Sequence, residues 1–203
     1  MRCESRSYAT QFRGAEGEGD GKTDFRMRKY LVFILLVLLA SGCRKDREPP
    51  LSGSITIDNN LYGTGPYYAF GFSFSKAAKV STLDNPPPDI TLIAITDIFG
   101  HVTKMNLQTS NFKGSFFKSG EYANAAEAQQ AFDNLTSATI SQWADDADDI
   151  AAHQVWIFRS RSENYAKFLI TDAYSEDKDV WPYAECTFKW AYQPDGTLTF
   201  PGK

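Results

Sequence analysis

Flat aromatic side chains are the main chemical resource of this sequence. Tyr62 and Tyr67 bracket Gly63-Thr64-Gly65-Pro66, and Trp181-Pro182-Tyr183 follows the charged run from Ser175 to Asp179. Gly, Pro and clustered charge mark both stretches as loops or strand ends. An aromatic face held on a loop stacks on a sugar ring or grips a partner protein. Tyr62, Tyr67, Trp181 and Tyr183 are therefore the candidate ligand-binding residues. Trp156 and Trp190 alternate with apolar neighbours and belong to the expected core.

Groups suited to catalysis are few. Neither His101 nor His153 lies in a His-Glu-x-x-His pattern, and no Gly-x-Ser-x-Gly elbow is present. Zinc-protease and hydrolase chemistry therefore lack their residues. Asp145, Asp146, Asp148 and Asp149 cluster, but without the alternating ligands, turn glycine and distal Glu of a calcium loop. They read as a solvated face. Cys186 alternates with Ala184, Phe188, Trp190 and Tyr192, which makes it a buried structural thiol rather than a nucleophile. No catalytic set, metal site or cofactor is expected, and the expected protein is non-enzymatic. A glycosidase would need two carboxylates facing one cleft at a set separation, which spacing along a chain does not reveal.

The elements that must carry these residues are mostly strands. Ile55 and Ile57 mark a short strand over 54–58. Tyr68, Phe70, Phe72 and Phe74 alternate with Ala69, Gly71, Ser73 and Ser75, giving one large aromatic face and one small face. Asp84-Asn85-Pro86-Pro87-Pro88 forces an extended loop. The run 89–98 is apolar too continuously for a one-faced strand, so it is expected to be central and buried on both faces. After a turn at Phe99-Gly100, residues 102–107 form its hairpin partner. Residues 111–120 hold Phe112, Phe116 and Phe117 in no clear period.

Asn124 with Glu127 three places on predicts an N-cap and capping box, with Ala128, Phe132 and Leu135 on one helix face. Ile140, Trp143, Ala147 and Ile150 predict a second helix with the four aspartates turned outward. Strands over 155–159 and 165–171 flank Ser162-Glu163-Asn164, and strands over 183–192 and 197–200 flank Gln193-Pro194-Asp195-Gly196. The expected fold is α+β, mainly an antiparallel β-sheet or sandwich with one or two helices inserted mid-chain, over a single globular domain at 54–203.

Upstream lies a targeting pattern. Arg28 and Lys29 precede an apolar run of 11 residues from Tyr30 to Ala40, followed by Ser41, Gly42 and Cys43. Eleven residues is about half of the roughly 20 needed to span a bilayer as a helix. A basic start, a short apolar run and small residues make a secretory signal peptide over 27–42. Leu39-Ala40-Ser41-Gly42-Cys43 resembles the lipobox of bacterial lipoproteins. The resemblance implies cleavage before Cys43, acylation of its sulfur, and a firm hold on the membrane once two or more chains are attached. The segment 43–53, with Pro49 and Pro50, then serves as a tether, and Arg44, Lys45 and Arg47 can face anionic lipid. Lys45-Asp46 resembles the export signals of surface-displayed lipoproteins. Residues 1–26, polar and Gly-rich, read as a mis-assigned start ahead of Met27 or a disordered leader.

From Cys43 onward there are 14 Lys and Arg against 20 Asp and Glu, a net of −6. That balance lacks the footprint of a nucleic-acid binder. Cys186 is the remaining cysteine after Cys43, so no intradomain disulfide is expected. In size, anchoring and strand content the domain is similar to haem-scavenging β-rich surface lipoproteins, a likeness that implies His101 and His153 as axial ligands. The expectation is a lipid-anchored protein of the bacterial envelope, in the outer membrane and facing periplasm or surface, that binds carbohydrate or protein through exposed aromatics. A structural subunit held by β-augmentation is the alternative, with haem binding and glycosidase activity as further ones.

Overall fold

The structure, a computed structural model, describes residues 48–111, 113–178 and 181–202. The expected leader 1–26, the signal peptide 27–42 and the lipidation site Cys43 lie outside the described residues. In chain order the elements are β1 (Ser52–Asp58), β2 (Phe70–Ser73), β3 (Ala78–Ser81), β4 (Thr91–Thr96) and β5 (Val102–Gln108). There follow β6 (Phe116–Glu121), α1 (Ala125–Asn134), β7 (Gln154–Arg159), β8 (Tyr165–Glu176) and β9 (Tyr183–Gln193). Five strands make one antiparallel sheet in the order β1-β9-β8-β7-β6, while β2-β3 and β4-β5 are separate two-stranded ladders. The described fold is mostly antiparallel β with a single helix.

Alternation decides what each face of the large sheet meets. On one face Trp156 and Phe158 of β7, Ala166, Phe168 and Ile170 of β8, and Cys186, Phe188 and Trp190 of β9 are buried. The two ladders cover this face. Phe72 places its ring 5.2 Å from Trp190, and Phe74 stacks 5.3 Å from Phe158. Each such ring contributes about 1.5–3 kcal/mol on burial, so this aromatic layer is the main source of stability. The opposite face carries Val155, Leu169 and Ala191, against which α1 packs Ala128 and Phe132. Residues Glu48–Lys203 thereby form one compact unit with its own cores.

The start of α1 is as the sequence indicates. Asn124 Oδ1 accepts from the amides of Ala126 and Glu127 at 3.1 and 3.0 Å. Such a cap satisfies donors that the first turn leaves open. At the other end sits a lysine. Lys167, 2% exposed, donates to the carbonyl oxygens of Phe132, Leu135 and Pro201 at 2.8, 3.0 and 3.3 Å. Its ammonium also lies 4.7 Å from the Phe132 ring centre. Burial pushes the Lys167 pKa down.

Four expectations differ from what is seen. The second helix is absent: 136–150 is irregular, with bends and isolated bridges, and Ala144 and Ala147 bridge to Phe116 and Leu107. The helix-like spacing of Ala147 and Ile150 arises because both drop into the core from an irregular, bent segment. Asp residues, poor helix formers, instead accept from Lys104 and Asn106. β4 is not central. It ladders to β5 alone within its sheet, and Ile98 is 92% exposed. Residues 116–121 form strand β6, where the sequence shows no period because a register shift breaks it between Lys118 and Gly120. Finally, 197–200 does not return along β9. It runs beside the chain after α1, with Thr199 bridged to Ser137 and Phe200 donating its amide to Thr136.

Candidate functional site

Asn59, at the end of β1, is buried and holds two distant segments together. Its Nδ2 donates to the Pro182 carbonyl at 2.8 Å, and its Oδ1 accepts from the Ala184 amide at 2.8 Å. Its own amide donates to the Ala184 carbonyl at 3.1 Å. Three bonds from one asparagine fix Trp181-Pro182 beside the loop carrying Leu61. Trp181 and Leu61 stand about half exposed, at 53% and 48%.

Both line a groove of about 350 Å³. Its lining joins Leu61, Trp181 and Pro182 with Thr91, Leu92, Ile93 and Ala94, four consecutive residues of β4. Ala69 and Thr82 close one end, joined by paired backbone and side-chain hydrogen bonds. The lining is mainly methyl, methylene and indole surface, so it suits apolar groups.

The four aromatics singled out above divide. Trp181 lines the groove. Tyr62 follows the lining residue Leu61 in the chain but turns its ring onto Tyr68, at 5.9 Å, and Phe70, at 5.2 Å. Tyr67 is 66% exposed and is not part of the lining. Tyr183 donates its hydroxyl to Glu185 at 2.8 Å, and Lys178 lies 3.9 Å over its ring. Desolvation, then the Glu185 carboxylate, pushes the Tyr183 hydroxyl up to about 12, so it remains a donor at neutral pH. Tyr183 therefore supports the 181–183 segment rather than facing the groove.

The histidines occupy separate settings. His101 is exposed at the β4–β5 turn, its Nδ1 2.8 Å from Asp177 Oδ2, which raises its pKa. His153, with φ 72°, lies at the entry to β7 and donates its amide to the Ile170 carbonyl. Among the described residues no group of three or more His, Cys, Asp or Glu is arranged to hold a metal ion. Cys186 is fully buried, and burial pushes its thiol up, away from nucleophilic use. No helix among the described residues is long and apolar enough to cross a membrane.

Residues that spacing alone did not mark line a second, polar cavity of about 270 Å³. It gathers Ser73 at the end of β2 and Ser75 just beyond it, the Asn85–Asp89 loop, Ser110 and Asn111, Ser160, Arg161, Ser162 and Asn164 at the β7–β8 turn, and Tyr192. Asp89 Oδ2 accepts from the Phe74 amide at 2.8 Å and from Ser73 Oγ at 3.2 Å. Desolvation raises the Asp89 pKa, opposed by those bonds. The one sequence signal here was the proline run.

No family model matches the chain, and no curated protein matches it.

Proposed function

We propose that the chain is the non-enzymatic binding domain of a lipoprotein tethered to the bacterial envelope through Cys43, and that it grips an extended apolar segment of a partner protein beside Trp181. The groove wall carries this reading: Thr91 to Ala94 run along it, and β4 has only β5 as a ladder neighbour within its sheet. An occupant lying along a strand edge is itself extended, with alternate side chains turned toward Trp181 and Leu61. The two ladders stacked on the large sheet act as the split second layer of an open sandwich, which puts β4 at an edge. A groove of Leu61, Ile93, Ala94 and Pro182 favours aliphatic side chains over sugar hydroxyls, which lose water without matched partners. The lipobox and the basic residues after Cys43 support the tether.

Phage display of random heptapeptides against the 48–203 unit tests the groove, with selected peptides retested by fluorescence anisotropy. Peptides with alternating apolar residues are expected, and Trp181→Ala and Leu61→Ser should each weaken them by roughly tenfold with circular dichroism unchanged. Absence of enrichment, or binding by both variants as tight as by the wild type, overturns the reading. Wild-type binding on a glycan array that Trp181→Ala abolishes would replace the peptide with a saccharide. Incorporation of tritiated palmitate into the full chain, lost in Cys43→Ser, tests the tether.

A further inference from the structure

A separate cavity points to a small-molecule ligand. Five segments remote in sequence wall it, and several of their polar side chains are already held in two hydrogen-bonded sets. Asn164 Nδ2 donates to Tyr192 Oη at 3.0 Å, and the Asn164 amide donates to Ser160 Oγ at 3.1 Å. Ser73 Oγ lies 3.2 Å from both Ser75 Oγ and Asp89 Oδ2. Ser73, Ser160 and Tyr192 are buried, while Ser75 and Arg161 stand at the exposed mouth. Groups fixed in this way lose little entropy when a ligand arrives.

The charge of the lining sets the class of ligand. One carboxylate, Asp89, and one guanidinium, Arg161, share the cavity, and the remaining polar lining is hydroxyl and amide. An anionic or cationic ligand would meet no net opposite charge. A neutral ligand whose hydroxyls both donate and accept matches a wall of serine, asparagine and tyrosine groups. Pro86, Pro87 and Pro88 add apolar C–H surface, suited to van der Waals contact with the C–H face of a sugar. At about 270 Å³ the space lies near the small end of ligand pockets, roughly 300–1,000 Å³.

We propose that the cavity bounded by Asp89, Asn164, Tyr192 and the Pro86–Pro88 loop binds a neutral monosaccharide unit, independently of the Trp181 groove. The two sites share no lining residue.

Ligand-observed saturation-transfer NMR on the full chain tests this with a panel of hexoses, pentoses and N-acetylated hexosamines, the twenty amino acids, and inorganic phosphate. At least one neutral sugar is expected to receive saturation. Its affinity, measured by calorimetry, should fall roughly three- to tenfold in Ser75→Ala and in Arg161→Gln. Both side chains are at the exposed mouth, so folding by circular dichroism should be unchanged. Trp181→Ala should leave sugar binding intact, which separates this site from the peptide groove. Saturation of no sugar by the folded protein, wild-type affinity in both mouth variants, or selective binding of an amino acid or phosphate instead would overturn the proposal.

Discussion

Lys167 donates from Nζ to the carbonyl oxygen of Phe132 at 2.8 Å, so a charged residue of β8 closes the last turn of α1. The same ammonium reaches Leu135 and Pro201, which ties the helix end and the C-terminal segment to the sheet. Lys167→Met keeps the stem but leaves three carbonyls without their donor. Removing one partner of buried polar groups costs about 1–3 kcal/mol per group, less where water can enter. A loss of about 2–3 kcal/mol in urea unfolding is expected. Hydrogen exchange should quicken at the amides of Leu135 and Phe200, and unchanged exchange there would refute the tie.

Gly71 lies where two strands cross at close range. A Cβ at this position would press on the Ile90 carbonyl oxygen and come within 2.7 Å of Pro88 Cβ. The Phe72–Ile90 bridge makes that approach necessary, with the Phe72 amide donating to Ile90 at 2.9 Å. Gly71→Ala should cost about 1–3 kcal/mol as an overpacking change. Because Pro88 also lines the polar cavity, the variant should shift the resonances of Asp89 and Asn164. Wild-type stability in Gly71→Ala would show that the loop yields freely.

The His101–Asp177 pair fastens the β4–β5 turn to the end of β8. Asp177 is held below the usual carboxylate value by the Val102 amide first, at 2.6 Å, and then by His101. Its stabilisation is present above pH 3.8 and is lost as pH falls through the lowered folded value. His101 is raised above 6.5, so its share is present below pH 6.5 and is lost as pH rises through the folded value. The fastening is thus fullest on the weakly acidic side. An NMR titration should place His101 above 6.5 in the wild type and return it toward 6.5 in Asp177→Asn. Identical titrations would remove the pair from solution.

The Cys186 thiol should be silent in the native protein. It is fully buried on β9, and its pKa is raised by that burial. In the 48–203 unit it is the one cysteine, so a disulfide-exchange dye should report none in buffer and one in guanidinium chloride. Native-state labelling within minutes would mean that β9 opens.

What the sequence reveals follows from how local each signal is. Tyr183–Gln193 is legible because one alternation decides one burial pattern, and the Asn124 cap is legible because its partners lie within three residues. The small face of Gly71 and Ser73 was visible as a pattern, but its cause, contact with the Pro88–Ile90 segment, is not local. Residues 140–150 mislead because Ala147 and Ile150 match a helix face by spacing while their backbones pair with Leu107 and Met105. Trp143 likewise stacks on Tyr165, with Arg159 4.6 Å over its ring, instead of lying on a helix. Trp181 was legible as an exposed aromatic. The groove was not, since it needs Asn59 to reach Pro182 across 123 positions.

The ladder of β1 on β9 also sets how the proposed tethered binder would carry load. Ser52 pairs with Ala191 at one end and Asp58 with Glu185 at the other, next to the Asn59 clasp and the groove. At about 3.3 Å per residue the two ends are roughly 20 Å apart. In the proposed tethered binder, a pull between the chain before Ser52 and an occupant at Trp181 would act along the strand axis. Its rungs resist in shear together rather than parting one at a time, and the short strand works as a strut.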